Sequence, residues 1–68
     1  MKFKKIRDLR EDSDLTQDAL ASLLNVKQTT YSKYELGKIN IPIEVFIKLA
    51  NFYNVSVDYL LDRTSNKN

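Results

Sequence analysis

Cysteine and histidine are both absent from this 68-residue chain. Without cysteine there are no disulfide staples, and nothing argues for secretion. Without histidine as well, the usual general base is missing, as are Ser-His and Cys-His nucleophile pairs and zinc sites built on His or Cys. Gly37 is the one glycine, which excludes a Gly-rich loop cradling a phosphate. No apolar run exceeds three residues, as in Val45-Phe46-Ile47, so no segment is long enough to span a bilayer. The basic start MKFKKIRDLRED has no apolar stretch behind it and does not read as a signal peptide. These absences point to a cytoplasmic binding module that is not an enzyme and holds no metal, cofactor or small-molecule ligand.

What is present suits one small domain. The chain is 43% hydrophobic and 29% charged, enough for one core at a size that buries only about 60% of the unfolded surface. The net charge of +2 is too small to identify a partner, but its distribution says more. Residues 1–10 carry Lys2, Lys4, Lys5, Arg7 and Arg10 against Asp8 alone. The charges in residues 11–18 are all acidic (Glu11, Asp12, Asp14 and Asp18), and residues 27–40 turn basic again. Such alternation is usually a solvated surface, and it hints at an anionic partner near the first and third segments.

Periodicity is helical nearly throughout, with no strand-like alternation. Ile6, Leu9 and Arg10 share one face of a helix over residues 3–12, which Ser13-Asp14 breaks. Thr16 then caps a second helix, Asp18 suits its first turn, and Leu15 can staple to Leu20. Leu20, Ala21, Leu23 and Leu24 continue the buried stripe, and Asn25 fits the left-handed stop. A third helix runs from about Gln28 to Gly37 with Tyr31 and Tyr34 inward. Pro42 suits the first turn of a fourth helix, along which Phe46, Leu49, Ala50 and Tyr53 recur. Asn54 is a second left-handed stop; Ser56 caps a fifth helix, with Asp58 in its first turn and Val55 able to staple to Leu60. The expected fold is all-α: five short helices around one core over residues 1–61, then a flexible polar tail over 62–68. Phe3 and Ile43 have no obvious place.

Residues 16–35, TQDALASLLNVKQTTYSKYE, carry the strongest signal. Two helices about three residues apart must cross steeply. Ala21 is small at the close approach, Asn25 turns the chain, Val26 plugs the corner and Tyr31 anchors the second helix. LTQDALASLLNVKQTTYSKYELGK followed by IPIEVFIKLANFYNVSVDYLL resembles the lambda-repressor-like (Cro/CI, XRE-type) helix-turn-helix family over residues 4–61. Leu15-Thr16-Gln17, Ala21, Val26, Glu35 and Gly37 carry the likeness. The resemblance implies a five-helix domain whose third helix enters the DNA major groove. Asn25 departs from the usual glycine, Lys27 from the usual Ser/Thr cap, and Pro42 sits one position late. Lys27 leaves the third helix without an ordinary side-chain cap, which a DNA phosphate can complete.

On a helical wheel at about 100° per residue, Tyr31, Tyr34 and Glu35 cluster on one side of the third helix. Thr29 and Lys33 lie opposite, with Ser32 and Leu36 flanking and Gln28 at the helix start. Such a face is ordinarily just solvated. With the resemblance it becomes the base-reading surface: Gln28 for adenine, Lys33 for guanine, the Thr29 methyl for thymine and Ser32 beside them. The resemblance also implies that Gln17 holds a phosphate. Lys27, Lys38 and Asn40 suit the same role, with Lys5 and Arg7 as weaker choices better read as ordinary surface.

Arg10 and Glu35 each lie on an otherwise apolar face. An unpaired buried charge is costly, so the economical expectation is that they meet; the alternative is that both snorkel to solvent. Asp12 and Asp14 read as turn and capping groups rather than a metal site. The leading functional expectation is a transcriptional regulator, a repressor binding double-stranded DNA as a homodimer on a palindromic operator. The rival is a protein-interaction module of the same fold. Pairing is expected at the corner of the fourth and fifth helices, where Val57, Tyr59 and Leu61 crowd beside Leu60; the monomer alternative has them capping the core. The sequence ends soon after the fifth helix, as in a minimal Cro-like regulator or a fragment of a longer repressor.

Overall fold

The computed structural model describes residues 3–63. Five helices follow in order: α1 (Lys4–Asp12), α2 (Gln17–Leu24), α3 (Gln28–Leu36), α4 (Ile43–Tyr53) and α5 (Val57–Leu60). No strand occurs among the described residues.

All five helices end in the same local device. A residue with positive φ follows the last turn: Asp14, Asn25, Gly37, Asn54 and Asp62, with φ between 56° and 73°. The next residue's N–H then reaches five residues back. The pairs are Leu15 to Arg10, Val26 to Ala21, Lys38 to Lys33, Val55 to Ala50 and Arg63 to Asp58, all at 2.9–3.0 Å. This closure satisfies carbonyls that a helix end otherwise leaves open. With one glycine available, Asn and Asp fill the other left-handed positions, which they tolerate better than other side chains. Two of the closures lead straight into the next cap. Thr16 Oγ1 accepts from the Ala19 N–H and Ser56 Oγ from the Tyr59 N–H, each at 3.0 Å.

Two starts differ by a residue from the sequence expectation. Phe3 caps α1 instead of opening it, and Pro42 (φ −60°, ψ 149°) stands just before α4. An extended ψ lets the Pro42 carbonyl accept from the Val45 N–H at 3.0 Å. Of the 62–68 tail, Asp62 and Arg63 belong to the closing turn of α5, while 64–68 lie outside the described residues.

Ile6, Leu20, Tyr31, Leu49 and Leu60 are essentially inaccessible, one from each helix. Ala21, Leu24, Tyr34, Val45, Phe46, Ala50 and Val55 complete the buried apolar set, with Leu9, Leu15, Val26, Val57, Tyr59 and Leu61 packed at its edge. Phe3 finds its place here, its ring edge-on to Phe46 at 5.2 Å, while Ile43 stays 57% exposed. Leu23 corrects the expected α2 stripe, since it points outward at 42% exposure. Leu20, Ala21 and Leu24 fall within about 100° of one another on the wheel, and Leu23 lies outside that arc.

Candidate nucleic-acid interface

α3 buries Tyr31, Tyr34 and Glu35 against the core; Thr29 and Lys33 turn outward from the opposite face, and Gln28 reaches the surface at the helix start. Gln28, Thr29 and Lys33 are exposed and Ser32 is half-buried. These four line one open groove of about 280 Å³, together with Leu36 and Lys38. All four residues expected to read bases therefore share a surface. Leu36, at 53% exposure, gives that surface an apolar floor.

At the start of α3, Lys27 has an extended backbone (ψ 149°) and makes no side-chain cap. The first N–H groups of the helix therefore point outward unsatisfied by the protein, with positive dipole potential beside an exposed lysine. Lys38 and Asn40 are both exposed past the other end of α3. The weaker cationic candidates are engaged elsewhere. Arg7 pairs with Glu11 one turn along α1, at 3.5 Å. Lys5 Nζ lies 3.4 Å from Asp62 and 4.7 Å above the Tyr59 ring, tying α1 to α5.

The two charged residues on apolar faces meet. Arg10 Nε donates to Glu35 Oε2 at 2.7 Å and Nη2 to Oε1 at 3.2 Å. Arg10 Nη1 also donates to the Leu15 carbonyl at 2.9 Å, so one guanidinium links α1, the following turn and α3. Burial alone would raise the Glu35 carboxyl, but hydrogen bonds from Arg10 and Gln17 outweigh it and hold the group below its ordinary value. The neighbouring tyrosines shift the other way. Burial, then the Glu35 charge, raises Tyr31 well above the usual phenol range and pushes Tyr53 up to about 12. Both hydroxyls are buried without a hydrogen bond of good geometry.

Gln17 makes two hydrogen bonds that sequence reasoning missed. Its Nε2 donates to Glu35 Oε1 at 3.1 Å, and its Oε1 accepts from Gln28 Nε2 at 2.8 Å. A continuous polar chain thus runs from Arg10 through Glu35 and Gln17 to Gln28 at the groove. Its members stand 25, 18 and 11 residues apart, beyond the reach of any helical pattern. Among the described residues, no group of three or more acidic side chains is placed to hold a metal.

A helix-turn-helix family model matches residues 6–60. This chain belongs to the lambda-repressor-like (XRE-type) helix-turn-helix family. The family is a non-enzymatic DNA-binding class. The chain is 37% identical over 67 residues to the HTH-type transcriptional regulator ImmR of Bacillus subtilis (strain 168), covering 96% of itself and 53% of ImmR. It is 42% identical over 57 residues to the cryptic phage CTXphi transcriptional repressor RstR of Vibrio cholerae, covering 84% of itself and 51% of RstR. It is 38% identical over 58 residues to the HTH-type transcriptional activator BcrR of Enterococcus faecalis, covering 85% of itself and 28% of BcrR. The chain spans about half the length of the first two. In helix-turn-helix terms, α2 and α3 are the motif and Asn25-Val26 its corner. No helix among the described residues is long and apolar enough to cross a membrane.

Proposed function

We propose that this chain is a sequence-specific double-stranded DNA-binding transcription regulator that lays α3 in the major groove. The observation that carries the reading is the outward face of α3. Gln28, Thr29, Ser32 and Lys33 line one groove there, a set of donors, acceptors and a methyl group matched to base edges. Gln17, Lys27, Lys38 and Asn40 contact the phosphates on either side and set the register. Relatives named as a repressor and as an activator both suit such a reader, and repression through an operator is the role we assign here.

One recognition helix reads only a few base pairs, so selective binding calls for a second copy on a palindromic operator. That places the two α3 helices about 34 Å apart, one DNA turn. Val57, Tyr59 and Leu61 are half-buried against the core, which leaves their outer edges for pairing. Ile43 and Ile47 of α4, 57% and 47% exposed, add apolar area. Selection from a random DNA pool, followed by sedimentation of the complex, tests the reading. Enriched inverted repeats bound by two copies support it. Binding of one copy to a non-palindromic site overturns the dimer. Failure to bind DNA at low salt, with salt-insensitive capture of a protein instead, overturns the DNA reading.

A further inference from the structure

We infer that Glu35 is a positioning residue for base readout: acting through Gln17, its carboxylate dictates which way round the Gln28 amide faces the DNA. This rests on the proposed DNA-binding reading. Gln28 and Glu35 stand seven residues apart on α3, two turns along nearly the same face, and about 10 Å separates them along the axis. They are too far apart to touch, and Gln17 reaches in from α2 to fill the gap.

Polarity fixes the order of the two amides. A carboxylate only accepts, so Gln17 must turn its NH2 group to Glu35 Oε1, 3.1 Å away. Its own oxygen is then turned toward Gln28, which must answer with its NH2 group at 2.8 Å. An amide's two ends are nearly alike in shape and opposite in polarity, so without a reference both orientations fill the same space. Glu35, 2% exposed and gripped by Arg10, supplies that reference two hydrogen bonds away from the groove. Gln28 keeps one N–H and its Oε1, in a set order. The major-groove edge of adenine offers N7 as acceptor and the N6 amino group as donor, and for a given docking only one order of donor and acceptor fits. Reversing Gln28 to suit another base requires breaking its bond to Gln17 or reversing both amides against the charge. Gln17 retains its second N–H for a phosphate, so the same side chain that sets register also sets the order of readout.

The test compares a selected site with the same site altered at the base facing Gln28. Wild type, Gln28→Ala, Glu35→Gln and Gln17→Leu are each checked for folding by circular dichroism. The readout is the ratio of the two affinities, in which changes common to all DNA cancel. Gln28→Ala is expected to abolish discrimination. Glu35→Gln, whose amide no longer forces an orientation, is expected to lower it roughly ten-fold, the scale of one hydrogen bond to a charged group. Gln17→Leu leaves the Arg10–Glu35 pair in place and is expected to give the same loss; combining it with Glu35→Gln adds nothing further. In the unbound protein, the side-chain amide resonances of Gln28 are expected to move in Glu35→Gln although the two residues do not touch. Unchanged discrimination in a folded Glu35→Gln overturns the inference, and if that variant does not fold, unchanged discrimination in Gln17→Leu does so. Loss in Gln28→Ala alone overturns the inference and leaves the DNA reading standing. A wild type that does not discriminate at this base overturns the inference together with the base-reading role proposed for Gln28, and leaves DNA binding itself standing.

Discussion

Arg10 holds Glu35 with two nitrogens, Nε at 2.7 Å and Nη2 at 3.2 Å, in a setting where the side chains are only 13% and 3% exposed. Burial raises the stakes of such a pair because either charge left alone is poorly solvated. Glu35→Ala is expected to cost about 3–5 kcal/mol of folding stability. Glu35→Gln, which keeps an acceptor oxygen for Arg10, should cost less, about 1.5–3 kcal/mol. Urea denaturation measures both, and an unchanged midpoint in Glu35→Ala would refute a stabilising role for the pair.

Stability should fall at both ends of the pH scale, for opposite reasons. Glu35 is held below its ordinary value of 4.5, so the unfolded chain binds the extra proton. The stability it contributes is complete above that value and is lost as pH falls through the lower folded one. Tyr53 is raised from 10.0 to about 12, so the folded state binds the extra proton. Its contribution is complete below pH 10.0 and is lost as pH rises toward about 12. Denaturation midpoints across pH should flatten on the acid side in Glu35→Gln and become less steep on the alkaline side in Tyr53→Phe, where the raised Tyr31 still contributes. Because the Tyr53 hydroxyl is buried without a partner, Tyr53→Phe should change stability at neutral pH by less than about 1 kcal/mol.

On DNA, the two classes of contact should separate. Gln28→Ala and Lys33→Ala are each expected to cost about 1–3 kcal/mol at the selected site and to relax the preference at one position. Lys27→Ala and Lys38→Ala should instead weaken all sequences alike and reduce the slope of log affinity against log salt by about 1 each. Titrations on selected and random DNA at several salt concentrations distinguish the two. Equal losses on both DNAs for Lys33→Ala would make it a phosphate contact.

The shared helix-end device makes local predictions. Thr16→Ala and Ser56→Ala each remove a cap oxygen 3.0 Å from its N–H and should cost about 0.5–2 kcal/mol. Asn25→Ala at φ 58° should cost about 1–2 kcal/mol, whereas Asn25→Gly should be tolerated. Thermal melts order the variants, and a cost for Asn25→Gly equal to that of Asn25→Ala would mean the side chain, not the backbone, matters there.

What the sequence by itself determined is whatever depends on neighbours within a turn or two. Thr16 and Ser56 cap, Asn25, Gly37 and Asn54 stop, and apolar residues three and four apart mark the buried faces, because each involves a bond or wheel angle set locally. Two charges on apolar faces also announce their need for a partner from sequence alone. Local signals end there. Leu23 reads as core by composition, yet it faces outward, because a helix buries only the arc that another helix covers. The seam joining Lys5 to Tyr59 and Asp62, and the contact of Phe3 with Phe46, required the folded chain. So did the path from Arg10 through Glu35 and Gln17 to Gln28. An amide has no burial cost that names its partner, and either of its ends can bond. Only the crossing of α2 over α3, which brings Gln17 between Glu35 and Gln28, decides which end meets which.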